Sequence, residues 1–317
     1  MIDSLLLLFQ VFAILIIMIP LNGLLMNLWL KLAQNFRLSR KVIIIVTIGL
    51  MLSIPELFIA LNSLNRQVPE LAVGNALGTA IILISLVAGI ISIYKKELKT
   101  NEIFSNDNLN LLSFAALLNV ILAFDGRLSR LDGVLLIISY LIYLFVLSGL
   151  KGNYSILKKT KLSTRKAMLS IVLLIGGFLG IWVLSDNIVQ KALEIQILTA
   201  FPLFAIGAVL IAPLGAIPEL IFEMELNNKE ESKLSLSELF TSLISNTTLI
   251  LGIIILIEPI VISGSIFYYF TTLILALLLL LFNYYSRTKS NLNWKEGTLL
   301  LISYIIYLIS ALILLLS

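Results

Sequence analysis

The segment Ser53-Ile54-Pro55-Glu56 places a proline and a carboxylate inside a long apolar stretch, and Ala216-Ile217-Pro218-Glu219 repeats this arrangement 163 residues later. A proline removes one backbone donor from a helix and clashes with the carbonyl group four residues earlier, so each segment indicates an interrupted helix beside an acid. An ionisable side chain deep in a bilayer costs at least about 2.5 kcal/mol and indicates a functional site. The two segments therefore predict a paired polar site in an apolar protein.

The composition predicts an all-α polytopic membrane protein. Of the 317 residues 60% are hydrophobic and 13% are charged, and the mean hydropathy is +1.08, which is too apolar for a soluble domain. The sequence has no cysteine and no histidine, which excludes disulfides, thiol catalysis and histidine metal sites. The net charge of +4 does not indicate nucleic-acid binding, because the basic residues lie in loops beside apolar stretches.

Ten apolar stretches are long enough to cross a hydrocarbon core of about 30 Å. We place these spans at residues 5–30, 42–64, 69–94, 109–124, 134–150, 168–185, 199–222, 236–257, 260–282 and 298–316. The first is too long for the apolar part of a signal peptide and lacks a basic segment before it, so we interpret it as a membrane span.

The distribution of basic residues predicts the orientation. When the 22 Lys and Arg residues are assigned to alternate sides, eighteen fall in the loops after the odd-numbered spans, and only Arg66, Arg127, Arg130 and Lys191 fall on the other side. Basic loops stay in the cytoplasm. We therefore expect a multi-pass protein of the cell membrane with both termini outside the cytoplasm.

An internal repeat predicts the architecture. The segment 132–143 matches 296–307 at eight of twelve positions with an offset of 164, and Glu56 and Glu219 are offset by 163. Two distant landmarks in nearly one register indicate a duplication of about five spans. An odd number of spans inverts the second copy, as in many secondary transporters. The predicted organisation is a first repeat at 1–150, a basic cytoplasmic linker at 151–166 and a second, inverted repeat at 167–317.

The two glutamates are the candidate ion ligands. Glu56 lies fifteen residues after Lys41 and ten before Arg66, far from either interface at about 1.5 Å per residue. Inverted repeats bring equivalent residues together near the membrane midplane, so Glu219 should face Glu56. Two carboxylates suit a hard divalent cation, which prefers oxygen ligands.

The following spans carry polar residues that could complete a cavity. The third contains Gly74-Asn75-Ala76-Leu77-Gly78-Thr79, and the eighth contains Ser242-Leu243-Ile244-Ser245-Asn246-Thr247-Thr248. Aligned, Ser242 matches Gly74, Asn246 matches Gly78 and Thr247 matches Thr79. Single hydroxyl groups often serve only to join helices, but opposite two buried acids we interpret the set as cavity lining.

At these residues the chain resembles the calcium/cation antiporter superfamily, which includes the sodium/calcium exchangers. The family repeat reads G-T-S-x-P-E followed by G-N-x-x-G-S-N, and the first copy here reads Met51-Leu52-Ser53-Ile54-Pro55-Glu56 with Gly74-Asn75-Ala76-Leu77-Gly78-Thr79-Ala80. The resemblance implies a ten-helix exchanger of two inverted five-helix repeats, in which the first and sixth helices slide. It also implies a set of metal ligands: Glu56 and Glu219 at the centre, the side chains of Ser53, Thr79, Thr247 and Asn246, and the carbonyl groups of Gly49 and Ala212.

Several positions depart from the family pattern. Leu52 and Gly215 replace the motif threonines, Ala216 replaces the second motif serine, and Leu83 and Leu251 stand where an Asn or Asp is usual. Calcium takes six to eight oxygen ligands, so these replacements leave the site with fewer oxygen ligands than the family usually has. A pair of carboxyl groups can also hold a proton instead of a cation.

We therefore expect a secondary antiporter that exchanges a divalent cation, calcium first, for sodium or protons. Its partners are inorganic cations and the lipid bilayer, with no nucleic acid and no cofactor, and we expect a monomer. The alternative is a degenerate member that no longer transports ions. A membrane enzyme would need a further deep polar cluster, which the sequence lacks.

We interpret Glu70 and Glu238 as helix N-terminal acids and expect Glu223 to face the cytoplasm.

Overall fold

A computed structural model describes residues 2–33, 50–99, 106–149, 163–228, 232–262, 266–288 and 291–316. Within these ranges the chain is predominantly helical. Some helices continue through a π-helical turn or break at a single residue, and we number such helices as one. The helices are α1 (Ile2–Ala33), α2 (Ile54–Asn65), α3 (Pro69–Ile82, π-helical Leu83–Val87, Ala88–Lys95), α4 (Asn106–Leu122), α5 (Arg130–Gly149), α6 (Thr164–Thr199), α7 (Leu203–Ala205, π-helical Ile206–Ile211, Ala212–Gly215, then Ile217–Asn228), α8 (Ser232–Ile244, π-helical Ser245–Ile250, Leu251–Ile257), α9 (Ile266–Thr288) and α10 (Trp294–Leu316).

Seven helices in the described ranges are long and apolar enough to cross a membrane, and they belong to α1, α3, α6, α7, α8, α9 and α10. The predicted class, a helical membrane protein with several spans, is therefore confirmed. Helices α2, α4 and α5 are not among the seven. A shorter apolar helical stretch, Ser113–Asp125, begins in α4 and continues through the turn after it. The count of ten spans stays a prediction.

Burial separates a central layer of helices from a peripheral one. The apolar core of α3 is 83% buried and that of α8 is 78% buried, whereas those of α6 and α10 are each only 22% buried. The exposed side chains of α6 are large and apolar, for example Leu169, Val172 and Leu179. An apolar surface of this kind suits contact with lipid, so α3 and α8 form the interior of the protein.

Glycines let α3 and α7 cross at very short range. A Cβ added at Gly74 would lie 2.0 Å from the carbonyl oxygen of Phe204, and one at Gly207 would lie 2.3 Å from that of Leu71. Small residues allow such close helix packing in membranes. Gly74 and Gly78 of the third span thus pack against α7, the helix that carries Glu219.

Two short antiparallel ladders join the halves of the chain. Strand β1 (Glu97–Lys99), which follows α3, pairs with β4 (Asn291–Asn293), which precedes α10. Strand β2 (Arg127–Leu128), which precedes α5, pairs with β3 (Ile260–Val261), which follows α8. The offsets of 163 and 164 found in the sequence relate one ladder to the other. Each ladder thus connects the third helix of one half to the fifth helix of the other.

A pair of glycines accompanies each ladder. A Cβ added at Gly89 of α3 would lie 2.8 Å from the carbonyl oxygen of Gly297 in α10. A Cβ added at Gly133 of α5 would lie 2.9 Å from that of Gly252 in α8. Gly89 and Gly252 are repeat equivalents, and so are Gly133 and Gly297. The same contact therefore occurs twice, once on each side of the pseudo-symmetric arrangement.

The predicted boundaries at 150 and 167 stay a prediction. Residues 150–162, which contain most of the predicted linker 151–166, lie outside the described ranges. Residues 34–49, which include the first part of the second predicted span, also lie outside them.

Candidate functional site

The two motif helices break at equivalent residues with the same backbone conformation. Ser53 has φ −83° and ψ 6°, and Ala216 has φ −80° and ψ −4°. Both angles fall in the sparsely populated bridge region between helix and strand, one residue before the Ile-Pro-Glu sequence. The predicted interruption is confirmed in both halves, and it starts a new helical segment in whose first turn each glutamate lies.

The two glutamate side chains are buried and close together. Glu56 is 2% exposed and Glu219 is 1% exposed, and their carboxyl groups are near enough to interact electrostatically. The Oε1 atom of Glu56 lies against Gly215, one helical turn before Glu219. The carboxyl group from the first half thus sits on the helix that provides the carboxyl group of the second half.

A serine from α8 connects the halves. The hydroxyl group of Ser242 donates a hydrogen bond to Oε1 of Glu219, and its oxygen lies 3.2 Å from the hydroxyl oxygen of Ser53. All three side chains are buried. The sequence placed Ser242 in the cavity lining, aligned with Gly74, but not among the metal ligands. The offset of 163 that relates Gly89 to Gly252 on the same two helices pairs Ser242 with Thr79 instead.

Four buried oxygen atoms of the candidate ligands have no hydrogen-bond partner in the described part of the chain: Glu56 Oε2, Glu219 Oε2, Thr79 Oγ1 and Asn246 Oδ1. A buried polar atom that lacks a partner costs about 1–3 kcal/mol. Oxygen acceptors left in this state are suited to a cation. The ion pairs among the described residues do not include Glu56 or Glu219.

The remaining predicted ligands differ in what they already bind. The hydroxyl group of Thr247 donates to the carbonyl oxygen of Leu243 at 2.9 Å. The carbonyl oxygen of Ala212 accepts the N–H of Ala216 at 3.0 Å and retains a second lone pair. Asn246 and Thr247 lie in the π-helical turn of α8, a feature often found at functional sites. Gly49 lies outside the described residues.

Apolar side chains occupy the positions where the family usually has polar ligands. Leu52, Leu83 and Leu251 are all buried in the protein interior, so they add no oxygen to the site. Among the described residues no three acidic side chains are placed to hold one metal ion together. A cation here would be held by two carboxylates, neutral oxygens and water.

Two further acids are buried, contrary to expectation. Glu223, which was expected to face the cytoplasm, is fully buried, and Glu238 is 2% exposed. Ser235 donates a hydrogen bond to Glu223, and the carboxyl groups of Glu223 and Glu238 are neighbours. They lie one helical turn from Glu219 and Ser242. The reason is packing between α7 and α8, which encloses both side chains.

The fold and the paired acids define a membrane protein of the cation-transporter class, built from two repeats. The chain belongs to the sodium/calcium exchanger protein family, which it matches over residues 6–149 and 169–313. The predicted superfamily resemblance is therefore confirmed. The family is one of transporters rather than enzymes.

Two curated relatives are membrane proteins. The chain is 29% identical to the uncharacterized membrane protein MJ0091 of Methanocaldococcus jannaschii over 61% of this chain and 63% of that protein, slightly less than two thirds of its length. It is 24% identical to the inner membrane protein YrbG of Escherichia coli over 72% of this chain and 73% of that protein.

Two solved structures share the fold. The H+/Ca2+ exchanger CAX superposes with a TM-score of 0.75 at 16% identity, covering 98% of this chain and 87% of CAX. The sodium-calcium exchanger NCX_Mj superposes with a TM-score of 0.66 at 24% identity, covering 95% of this chain and 97% of NCX_Mj. At these identities the likeness shows a common fold.

Proposed function

We propose that this protein is a secondary antiporter that exchanges a divalent cation, with calcium as the first candidate, for sodium or protons. The observation that carries the proposal is the meeting of two buried carboxyl groups, one from each half, each with an oxygen atom that lacks a hydrogen-bond partner. Two buried carboxylates are costly without a positive charge between them. A bound cation supplies this positive charge, and a proton supplies it when no cation is bound.

In the proposed site Glu56 and Glu219 are the central ligands. Ser53, Thr79, Asn246 and Thr247 contribute side-chain oxygens, and Ala212 and Gly49 contribute carbonyl oxygens, with water completing the shell that calcium prefers. The assignment of Thr79 and Asn246 is supported by their buried side-chain oxygens, which have no hydrogen-bond partner among the described residues.

The proposed transport cycle needs the ten predicted spans in two inverted halves, with α2, α4 and α5 as the remaining spans and both termini outside. The cross-paired ladders support this arrangement. Helices α1 and α6 pack against each other, with Leu25 at Gly177 and Leu21 at Gly180. We assign them the sliding motion that alternates access. The proposed transporting unit is a monomer.

A second candidate, a member that no longer transports ions, is favoured by the buried leucines at positions 52, 83 and 251. Uptake of labelled calcium into proteoliposomes distinguishes the two. The purified protein is tested separately against a sodium gradient and a proton gradient, beside Glu56→Gln, Glu219→Gln and the control Glu70→Gln, which alters an exposed acid.

We expect uptake driven by one of the two gradients, lost in both site variants and kept in the control. Uptake that persists in Glu56→Gln and Glu219→Gln contradicts the site. Wild-type protein that neither takes up calcium nor is stabilised by it supports the second candidate.

A further inference from the structure

Two tyrosines of α5 make polar contacts with α8 inside the helix bundle. The hydroxyl oxygen of Tyr143 lies 2.6 Å from Oγ1 of Thr241, and both side chains are buried. One helical turn earlier on α5, the hydroxyl group of Tyr140 lies close to that of Ser245, which is also buried. Helix α5, which carries none of the candidate ligands, is therefore attached to α8 at two successive turns.

The contact places α8 between α5 and the paired carboxyl groups. Thr241 directly precedes Ser242, whose hydroxyl group donates to Glu219 and lies beside that of Ser53. Successive residues of a helix project about 100° apart. One face of this turn is therefore held by Tyr143, while the adjacent face holds Glu219. The tyrosine thus fixes the rotation of α8 about its axis at the turn that orients the carboxyl group.

The other half of the chain has the tyrosine but not the hydroxyl group that it contacts. Tyr307 matches Tyr143 at the offset of 164. Thr241 corresponds at the offset of 163 to Gly78, which has no hydroxyl group. The ring of Tyr307 stacks on that of Phe270 in α9, with 5.7 Å between the ring centres. Both halves therefore bury an aromatic ring here, and the contact between a tyrosine and a threonine hydroxyl group is an addition of the second half.

We propose that Tyr143 is a positioning residue for the candidate cation site: its contact with Thr241 sets the orientation of α8 and thereby the position of the Glu219 carboxyl group. The proposal rests on the antiporter function proposed above. Groups that stand behind the direct ligands of a metal ion hold those ligands in place, and their loss typically weakens metal binding by about 10–100-fold. Tyr143 acts on the cation in this way, through α8.

A tyrosine with a merely structural role would give a different result. Removal of a hydroxyl group that only joins two helices lowers the stability of the protein and leaves the affinity of the folded protein for calcium unchanged. Removal of a positioning group lowers that affinity in protein that is still folded. Tyr143 and Thr241 also form one contact, so the loss of both hydroxyl groups should cost no more affinity than the loss of one.

The experiment measures binding of labelled calcium to the full-length protein in detergent, without sodium and at one pH, and the melting temperature in chelator. The variants are Tyr143→Phe, Thr241→Val and the double variant, which remove the hydroxyl groups and keep nearly the same shape. Thr241→Ser is the conservative variant, since it keeps a hydroxyl group. The matched control is Tyr307→Phe, which removes a buried hydroxyl group from the repeat equivalent of Tyr143.

We expect Tyr143→Phe to weaken calcium binding by about tenfold, the lower end of the range for a group behind the direct ligands, because a whole helix stands between it and the cation. Thr241→Val and the double variant should show the same loss. Thr241→Ser and Tyr307→Phe should bind within about twofold of wild type, although Tyr307→Phe should lower the melting temperature as Tyr143→Phe does.

Unchanged calcium binding in Tyr143→Phe overturns the positioning role. Equal weakening by Tyr143→Phe and Tyr307→Phe, or losses that add up in the double variant, also overturns it. In each of these cases calcium binding by the wild type leaves the antiporter proposal intact. Wild-type protein that binds no calcium contradicts the antiporter proposal, and the positioning role with it. If Tyr143→Phe does not fold, Thr241→Val compared with Thr241→Ser decides the question, and equal binding by these two variants contradicts the proposal.

Discussion

The carboxyl group of Glu56 lies against Gly215 of the other half, with Oε1 3.5 Å from the place where a Cβ would be. This distance is an ordinary van der Waals contact, so Gly215→Ala should fold, with a gain of up to about 1 kcal/mol from the better helix propensity of alanine.

Gly215→Thr should place a hydroxyl group beside Glu56, as the motif threonine of the family would, and should increase the stabilisation by sodium or calcium. Ion-dependent melting of the two variants tests this expectation. If ions raise the melting temperature of the threonine variant no more than that of the alanine variant, a hydroxyl group at position 215 has no part in ion binding.

Removing the buried charges should separate stability from ion binding. The double variant Glu56→Gln/Glu219→Gln should melt in chelator at or above the wild-type temperature, because neutral amides avoid the cost of burying carboxylate charge. Calcium at a hundred times its Kd should stabilise only the wild type, by about 2.7 kcal/mol. Scanning fluorimetry in chelator and in calcium measures both effects, and a calcium response in the double variant contradicts the prediction.

The glycine contact between α3 and α10 should not tolerate a methyl group. Gly89→Ala places a Cβ 2.8 Å from the carbonyl oxygen of Gly297 and should lower stability by about 1–3 kcal/mol through overpacking. Gly176→Ala is the matched control, since nothing lies within 4 Å of its added Cβ. Thermal melting compares the two, and equal melting temperatures would show that the backbones separate easily.

The absence of cysteine allows a clean test of orientation and burial. Glu70→Cys should react with a membrane-impermeant maleimide added outside intact cells, since Glu70 is exposed and lies at the predicted outer end of the third span. Lys158→Cys in the predicted linker should react only after the membrane is opened. Glu238→Cys should react slowly from either side, because Glu238 is buried. Labelling of Lys158→Cys from outside intact cells would show that the true orientation is the reverse of the predicted one.

The sequence predicted the features that depend on local chemistry and register. The breaks at Ser53 and Ala216 follow from proline, and the pairing of Glu56 with Glu219 follows from the duplication. The close approach of α3 through Gly74 follows from the small side chain. Each of these needs only the helix geometry and the repeat.

Features set by contacts between helices were not predicted. Ser242 aligned with a glycine, and its hydrogen bond to Glu219 depends on the angle between α7 and α8. Glu223 and Glu238 stand near predicted helix ends, where acids are usually solvated, but tertiary packing encloses them. Glu70, which also lies near the start of a helix, is exposed, so the same residue type has two environments. Ladders of two or three residues are too short to show a strand pattern.

The crossed ladders and their glycine pairs have a consequence for the folding unit. Either half alone would carry one strand and one glycine surface of each ladder without the counterpart that completes it. A fragment of this kind is self-complementary in the sense of a twofold dimer, so two separately synthesised halves should find each other. The two halves of this protein should therefore fold as one cooperative unit, and an isolated half should behave as a subunit that needs the other half.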